Sequence, residues 1–311
     1  MPETKVTLAL PLALPLLAEL GDFEITYLPA GRADDTAFAL ALTEAEGLLV
    51  NSNVIVDAGV IASAPNLRVI STMSVGLDHI DMAAVRERGI TVTIAAVLND
   101  AVADLTMAFM IMLARRIPEG MNVVHDGGWA MPLGYDIAGK TLLLIGFGRI
   151  GQTVAERALA SKMIVTYYDA RGAVPEFPGV TPVDDLREGL ASADFVSMHV
   201  DLNAGTKGMI GSSELAAMRP TAYLINTSRG GVVDQDALAK ALNDGVIAGA
   251  ALDVLRDEPP LRDDPILFAP NVIIVPHIGS ATVETRDAMA RCAVDNLIKV
   301  LRGEETPFKI S

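Results

Sequence analysis

Leu142-Leu-Leu-Ile-Gly-Phe-Gly-Arg-Ile-Gly151 is the stretch that decides the fold of this 311-residue chain. Its apolar half predicts a strand buried on both faces, as central strands of parallel sheets are. The residues after it carry apolar side chains at a helical period, so the glycines lie on a turn from strand to helix. Gly146 permits the tight turn, Gly148 lets the backbone approach a pyrophosphate, and Gly151 lets the helix pack on the strand. The N–H groups of the first helical turn then face an anion.

A second predicted strand, Ile164–Tyr168, ends at Asp169. Dinucleotide sites carry an acidic residue about 20 residues beyond the glycines, where it accepts hydrogen bonds from the adenosine ribose hydroxyls. The alternative is a glycine turn of an α/β fold that binds nothing. Because the acidic residue is in register, the sequence favours a dinucleotide cofactor.

The composition argues against several classes of protein. A formal net charge of −15 disfavours a nucleic-acid partner, because phosphate binding needs clustered lysine and arginine, and it suits a cytoplasmic protein. Cys292 is the only cysteine, so we expect no intramolecular disulfide and no cysteine-based metal cluster. No run reaches the ~20 apolar residues of a membrane span. Pro11 and Pro15 interrupt the apolar start at Val6–Leu17, which we interpret as a strand and a helix rather than a signal peptide.

Short predicted strands alternate with helices along the chain, which predicts parallel sheets. The first set of strands is Val6–Leu10, Glu24–Leu28, Gly47–Val50, Leu67–Thr72 and Thr91–Ile94. The second set is Leu142–Ile145, Ile164–Tyr168, Phe195–His199, Ala222–Asn226, Gly249–Asp253 and Val272–Val275. Six strands with intervening helices are the content of a full doubly wound dinucleotide-binding sheet. A buried helix over Asp100–Arg116 connects the two sets, and a last helix covers about Thr282–Arg302.

Five segments in this order resemble the motifs of the D-isomer-specific 2-hydroxyacid dehydrogenases. They are the loop Ser71–Asp81 (STMSVGLDHID), the glycine turn with Asp169, Ile225–Gly231 (INTSRGG), Ala251–Pro260 (ALDVLRDEPP) and Pro276–Thr282 (PHIGSAT). Five motifs in order are far more specific than any one of them. Within the family, the Met-Ser-Val-Gly loop and the overall length are most similar to the glyoxylate/hydroxypyruvate reductases.

The resemblance implies two Rossmann-like, doubly wound parallel-sheet domains, because in that family the chain crosses between domains twice. A discontinuous, flavodoxin-like substrate domain is expected over residues 1–98 and 284–311, with a dinucleotide-binding domain over 99–283. The implied reaction is hydride transfer between a nicotinamide cofactor and a small 2-keto or 2-hydroxy acid. The family forms two-fold homodimers through the cofactor domain, so we expect the region around Asp100–Trp129 to contact a second copy.

Reduction of a 2-keto acid needs a hydride at the carbonyl carbon, a proton at the carbonyl oxygen and a grip on the carboxylate. His277 is the best proton donor, because histidine exchanges protons near neutrality and this one follows the carboxyl end of a strand. Glu258 resembles the acid that pairs with this histidine and fixes its tautomer. Arg229 resembles the substrate arginine, and Val75 and Gly76 are expected to bind the same carboxylate through backbone N–H groups. The alternatives are a packing histidine, a solvated acid and an arginine that braces its loop.

Further expected contacts involve the cofactor and the other histidines. Asp253 resembles the residue that accepts a hydrogen bond from the nicotinamide carboxamide. We expect His79 to brace the substrate loop, His125 to face solvent, and His199 to pack rather than touch the cofactor. The polar cluster Asn51–Asn53 either faces the substrate cleft or caps a helix. The full set of expected cofactor-binding residues is Gly146, Gly148, Arg149, Ile150, Gly151, Asp169, Val200, Thr227, Ser228, Arg229, Asp253, His277 and Gly279.

Asp169 also predicts a preference between the two nicotinamide cofactors. Its carboxylate accepts hydrogen bonds from both ribose hydroxyls of NAD(H) but repels the 2′-phosphate of NADP(H). Arg171 and Arg149 are the opposing features, since either side chain could bind that phosphate. The position of Asp169 at the strand end is set by the fold, whereas Arg171 lies in the loop 170–172 and can point to solvent, so we expect NADH to be preferred over NADPH.

Two other interpretations stay open at the level of sequence. A 3-phosphoglycerate dehydrogenase shares the scaffold, although the chain ends at Ser311 without room for a regulatory C-terminal domain. A dinucleotide-sensing interaction protein similar to the C-terminal-binding corepressors is disfavoured, because there is no basic localisation run and no disordered tail. The short loop after Trp129 lacks the extra aromatic residues that hydroxypyruvate reductases carry near the substrate, so it leaves the preferred substrate size open.

Overall fold

Two α/β units make up the chain. The structure is a computed structural model, and it describes residues 4–172 and 177–310. Unit 1 consists of Met1–Leu98 with Thr282–Ser311, and unit 2 is Asn99–Ala281. Of the helices that the structure describes, none combines the length and the apolar character that a membrane span requires.

Twelve strands are present in the described residues. They are β1 (Lys5–Leu8), β2 (Glu24–Tyr27), β3 (Gly47–Val50), β4 (Val69–Thr72), β5 (Thr91–Ile94), β6 (Thr141–Ile145), β7 (Ile164–Tyr168), β8 (Val180–Pro182), β9 (Phe195–Met198), β10 (Tyr223–Asn226), β11 (Gly249–Leu252) and β12 (Val272–Ile274).

The α-helices of the described residues lie between these strands and at the end of the chain. They are α1 (Leu14–Glu19), α2 (Asp35–Leu42), α3 (Ala58–Ser63), α4 (Met82–Arg88), α5 (Asn99–Ala114), α6 (Ile117–His125), α7 (Arg149–Ala160), α8 (Leu186–Ser192), α9 (Ser212–Leu215), α10 (Gln235–Asn243) and α11 (Val283–Leu301). Short 3₁₀ turns cover Gly230–Val232 and Pro265–Phe268.

Unit 1 is built on a parallel sheet with the strand order β2-β1-β3-β4-β5. This is the order of flavodoxin-like sheets. β3 and β4 are buried at every position, because central strands of a parallel sheet are covered on both faces. Three helices begin where an aspartate side chain accepts a hydrogen bond from a first-turn N–H group, at Asp34, Asp57 and Asp81. The chain returns to this unit through α11, where Ser71 Oγ donates to the Ala293 carbonyl at 2.7 Å.

Unit 2 contains a seven-stranded parallel sheet with the order β12-β11-β10-β9-β6-β7-β8. On one side of β6 the chain adds β7 and then β8. From β9 onward, it adds strands on the other side of β6. The strand order therefore reverses between β6 and β9, and ligands of open α/β sheets bind at such a point, beyond the carboxyl ends of the strands. The predicted fold class, two doubly wound parallel sheets, is confirmed.

The prediction of six strands in unit 2 is wrong by one. The additional strand, β8, has three residues, all at least partly exposed, and pairs with β7 at the edge of the sheet. It ends in Pro182, which has no N–H group for a ladder and is tolerated at edges. So short a segment, with no buried side chain, has no apolar pattern from which it could be recognised.

Other differences concern the ends of elements. The strand expected from Leu67 begins at Val69, and the strand expected to run to His199 ends at Met198. The predicted connecting helix Asp100–Arg116 is found as α5, which begins at Asn99 and belongs to unit 2. Eight of its residues are buried, because it packs against α7 and against the sheet.

Candidate active site

The glycine turn between β6 and α7 has the backbone that the sequence predicts. Gly146 has a φ of +94°, and a Cβ there would lie 2.5 Å from the carbonyl oxygen of His199. A Cβ on Gly151 would lie 2.4 Å from the Gly146 oxygen, so the helix could not pack this closely with a larger residue. A Cβ on Gly148 would meet no described atom within 4 Å. Gly148 is also the N-cap of α7, and it has no side chain that could cap the N–H groups of the first turn. These N–H groups therefore adjoin open space. This cradle fits the pyrophosphate of a dinucleotide.

Asp169 follows β7, and only 7% of its side-chain surface is exposed. Its Oδ2 accepts a hydrogen bond from the Phe147 N–H at 3.0 Å, and its Oδ1 accepts one from the Arg171 N–H at 3.0 Å. Arg171 lies in the loop that follows, and most of its side chain is exposed. Its guanidinium folds back onto Asp169, at 2.9 Å from Nε to Oδ1 and 2.7 Å from Nη2 to Oδ2. The side-chain hydrogen bonds of Arg171 contribute most to lowering the pKa of Asp169. Together with the backbone bonds they hold this pKa far below its usual range, although burial acts to raise it.

His277 and Glu258 form a hydrogen-bonded pair. His277 Nδ1 lies 2.8 Å from Glu258 Oε2, while Oε1 accepts the Leu255 N–H at 3.1 Å. Burial of Glu258 opposes its ionisation, but the hydrogen bond and charge of His277 outweigh it, so the pKa of Glu258 lies below its ordinary value. With Nδ1 engaged by the carboxylate, Nε2 is the ring nitrogen left to exchange a proton with another molecule.

Asp253 holds the backbone around this histidine. Its Oδ1 and Oδ2 accept hydrogen bonds from the N–H groups of Ile278 and Gly279, at 2.6 and 2.8 Å. His277 itself has a φ of +53°, in the left-handed region, and its N–H donates to the Asp253 carbonyl at 2.9 Å. Burial raises the pKa of Asp253, and the two backbone hydrogen bonds oppose that rise. A Cβ on Gly279 would lie 2.8 Å from Oδ2, so only glycine allows this approach.

Arg229 lies in a loop whose conformation is fixed by hydrogen bonds of Asn226. The Asn226 side chain is buried, accepts hydrogen bonds from the N–H and hydroxyl of Ser228 at 3.0 and 2.9 Å, and donates to the Arg229 carbonyl at 2.9 Å. A Cβ on Gly230 would lie 1.9 Å from the Leu255 carbonyl oxygen, so this loop packs directly on the segment that leads to Glu258. The role of Asn226 was not predicted from the sequence. An asparagine placed where a strand turns into a loop is the local signal that could have indicated it.

A second side-chain contact joins the same loop to α5. The hydroxyl of Thr227 lies 3.1 Å from that of Thr106, which also donates to the Val102 carbonyl at 2.8 Å. Both threonines are buried. Thr106 had no apparent role in the sequence, because its partner is distant along the chain.

His199 packs beneath the glycine turn, and its imidazole is engaged within the protein. Its Nε2 lies 2.9 Å from Ser197 Oγ, and burial lowers its pKa to about 3, so the ring is neutral near pH 7. The neighbouring Val200 is beside the turn, because its Cγ1 would lie 2.9 Å from a Cβ on Gly146.

The predicted substrate loop of unit 1 is braced by buried polar side chains. His79 Nε2 lies 3.0 Å from Thr72 Oγ1, which lies 2.8 Å from Ser74 Oγ, and that hydroxyl donates to the Gly76 carbonyl at 2.8 Å. His79 therefore braces the loop, as expected. The helix-capping alternative for Asn51–Asn53 is wrong. Asn51 Oδ1 instead accepts the Asn53 N–H at 3.0 Å in a local turn, and Asp57 caps the next helix.

Comparison with known proteins decides the family. Residues 107–279 match the family described as "D-isomer specific 2-hydroxyacid dehydrogenase, NAD binding domain". A glyoxylate reductase of Thermofilum pendens is 45% identical over 265 residues, which cover 82% of this chain and 78% of that protein. The chain belongs to the D-isomer specific 2-hydroxyacid dehydrogenases. This dehydrogenase is thus an NAD(P)-dependent oxidoreductase acting on 2-hydroxy and 2-keto acids.

Two further relatives show the range of this similarity. The D-3-phosphoglycerate dehydrogenase of Methanocaldococcus jannaschii is 39% identical over 297 residues, covering 94% of this dehydrogenase but 56% of its own length. The solved structure of an NADPH-dependent glyoxylate/hydroxypyruvate reductase from Sinorhizobium meliloti, in complex with NADP and malonate, matches with a TM-score of 0.89 and 30% identity. It covers 99% of this chain and 97% of its own.

Proposed function

We propose that this dehydrogenase is a glyoxylate or hydroxypyruvate reductase in which His277 donates the proton and Arg229 binds the substrate carboxylate. The observation that carries the proposal is the 2.8 Å contact of His277 Nδ1 with Glu258 Oε2. It occurs between two of the family-like segments, and names of relatives such as the Thermofilum pendens protein support the choice of substrate.

The proton step follows from this pair. A bound nicotinamide supplies the hydride that the carbonyl carbon receives. Protonated His277 gives a proton from Nε2 to the carbonyl oxygen, since Nδ1 is held by Glu258. The Glu258 carboxylate keeps the ring in one orientation and stabilises the positive charge of the imidazolium before the transfer.

Binding of the substrate carboxylate is assigned to cationic and backbone donors. Arg229 Nη1 donates to the Ser228 carbonyl at 2.8 Å, which fixes part of the guanidinium. A guanidinium can present a further pair of N–H groups to a carboxylate or polarise a keto oxygen. The backbone N–H groups of Val75 and Gly76 are proposed as the other carboxylate donors, because the hydrogen-bonded chain from His79 fixes the conformation of their loop.

Unit 2 is proposed as the dinucleotide-binding domain and unit 1 as the substrate domain. The N–H groups of the α7 first turn would hold the pyrophosphate at Gly148, and Asp169 would accept the ribose hydroxyls, so we propose a preference for NADH. Asp253 is proposed to accept from the nicotinamide carboxamide with the lone pairs that its two backbone donors leave. The acidic net charge supports a further proposal, that the enzyme works in the cytoplasm.

A homodimer is proposed from an exposed apolar surface of unit 2. No residue of α6 is buried, and Ile117, Met121 and Val124 line an open groove with Pro132. Trp129, in the segment that follows, is 88% exposed. Contiguous apolar surface of this kind marks an interaction site. We assign it to a second copy of the chain, as the family resemblance implies.

The deciding experiment measures initial rates with glyoxylate, hydroxypyruvate and phosphohydroxypyruvate, each with NADH and with NADPH. We expect efficient reduction of one of the first two. The third substrate tests the function named for the Methanocaldococcus jannaschii relative. A kcat/KM highest for phosphohydroxypyruvate would replace the proposal with a phosphoglycerate dehydrogenase.

A further inference from the structure

Four N–H groups surround the carboxylate of Asp169. Two belong to the backbone, of Phe147 and Arg171, and two belong to the Arg171 guanidinium. Each oxygen receives one bond of each kind, at distances between 2.7 and 3.0 Å. A carboxylate offers about four acceptor sites, so these donors occupy all of them.

The two kinds of donor differ in how firmly they are held. Both backbone N–H groups belong to loops at the carboxyl end of the sheet, next to the glycine turn. By contrast, 73% of the Arg171 side chain is exposed, whereas 7% of the Asp169 side chain is. The guanidinium is held through a flexible and exposed side chain, so it can leave while the backbone bonds keep the carboxylate in place.

Departure of the guanidinium would free one acceptor site on each oxygen of Asp169. Two sites are what the two adenosine ribose hydroxyls of NADH require. We propose that Arg171 is a specificity-determining residue that competes with these hydroxyls for Asp169 and that instead binds the 2′-phosphate of NADPH. This inference rests on the proposed role of Asp169 as the ribose acceptor.

Two opposite effects follow from the same side chain. Arg171 weakens NADH binding, since NADH must displace it, and because the ribose hydroxyls replace its hydrogen bonds we expect an effect of about threefold. Arg171 strengthens NADPH binding, because a guanidinium and a phosphate form charge-assisted hydrogen bonds, and we expect about tenfold from this contact. Together they reduce the selectivity for NADH that Asp169 alone would confer.

The test measures dissociation constants of NADH and NADPH from the intact enzyme by the fluorescence of the bound nucleotide, without substrate. In Arg171→Ala, NADH is expected to bind about threefold more tightly and NADPH about tenfold more weakly. Arg171→Lys keeps the charge but cannot span both oxygens of Asp169, so it should gain NADH affinity and keep most of its NADPH affinity. Competition by AMP and by 2′,5′-ADP should show the same changes, because these fragments differ only in the 2′-phosphate.

Lys240→Ala is the matched control. Lys240, on α10, is also an exposed cation in an ion pair, with Asp244, and its removal changes the net charge by the same amount. Neither dissociation constant should change in this variant. Added salt should weaken NADPH binding more steeply than NADH binding in the parent enzyme, and Arg171→Ala should remove that difference.

The outcomes separate this inference from the function on which it rests. Equal weakening of NADH and NADPH binding in Arg171→Ala would show that the arginine merely braces its loop. Unchanged dissociation constants would show that it contacts neither cofactor. Either result overturns the inference. Asp169→Ser tests the underlying role. If NADH binding survives that substitution unchanged, the ribose contact itself is wrong.

Discussion

At the scale of single residues, the proposed proton transfer depends on the imidazole of His277. Its backbone occupies the left-handed region with a φ of +53°, which is uncommon outside glycine and is maintained by hydrogen bonds to Asp253. Glu258 holds the imidazole ring through a hydrogen bond at Nδ1. Such strained positions persist where the surroundings determine them strongly, and they concentrate at functional sites.

Replacement of His277 by alanine should remove the proton donor and leave the glycine turn intact. We expect kcat for keto-acid reduction to fall by about 10² or more, with the dissociation constant of the cofactor changed little. Steady-state rates and nucleotide binding test the two parts. His125→Ala, which removes a histidine with 90% of its side chain exposed, is the control and should keep the parent rate. A His277→Ala enzyme with near-parent kcat would contradict the mechanism.

Replacement of Arg229 by lysine should also fail, although the charge is retained. Lysine is a point charge and cannot reproduce a planar pair of N–H groups, so kcat/KM for the keto acid should fall by about tenfold or more. Cofactor binding measured in the absence of substrate should be nearly unchanged. Full kcat/KM in Arg229→Lys would show that the arginine braces its loop and does not bind substrate.

Replacement of Glu258 by glutamine should change the pH dependence. Reduction requires a proton on His277, so the rate of reduction falls at high pH. Without the carboxylate the imidazolium loses a stabilising charge, and the midpoint of that fall should move to lower pH. The pH profile of kcat/KM, recorded for parent and Glu258→Gln, checks the direction. An unmoved midpoint would indicate that Glu258 is only a loop acid.

Which site residues could be predicted depended on what each needs from its surroundings. The tight turn at Gly146 and the position of Asp169 after β7 could be predicted, because backbone space and strand-end position are local properties. The contact of Thr106 with Thr227 could not, since it joins residues far apart in sequence. The contact of Arg171 with Asp169 could not be predicted either, because a flexible exposed side chain takes the partner that the fold places beside it.

At the scale of elements, the presence and approximate position of strands with apolar runs could be predicted. The residues at which these strands begin and end could not. The end of a strand depends on which backbone groups find ladder partners, as at Val69. β8 shows the other limit, because it is an edge strand with no buried side chain. The helix starts at Asp57 and Asp81 carry a local signal, since aspartate is a preferred N-cap.

The end of β9 also predicts a dependence of stability on pH. Burial lowers the pKa of His199 to about 3, whereas the unfolded chain titrates near 6.5. The unfolded state therefore binds the proton first, so stability is complete above about pH 6.5 and is lost as the pH falls toward 3. Linkage gives a loss of about 2 kcal/mol at pH 5 from this group.

Urea unfolding of the parent and His199→Gln at pH 7 and pH 5 measures this contribution. The parent should lose about 2 kcal/mol more than the variant between the two pH values, because glutamine does not titrate. His125→Gln should lose as much as the parent, since His125 is exposed. Equal losses in parent and His199→Gln would show that the buried imidazole takes up a proton without cost.

At the scale of the whole molecule, the exposed groove along α6 predicts association. The apolar side chains of Ile117, Met121 and Val124 recur at helical spacing, yet no residue of α6 is buried. An amphipathic helix normally covers its apolar face, so a second copy is the occupant we assign. Light scattering at micromolar concentration should give twice the 32.8 kDa chain mass.

A charge in the groove should separate the copies. Met121→Lys places an ammonium on an apolar surface that the dimer would bury, and burial of an unpaired charge is costly. We expect the dimer dissociation constant to rise by at least about tenfold. Leu40→Lys is the matched control, because Leu40 is 72% exposed on α2 in the other unit and should leave the mass unchanged. A parent that scatters as a single chain would refute the dimer, and a Met121→Lys enzyme that stays dimeric would place the interface elsewhere.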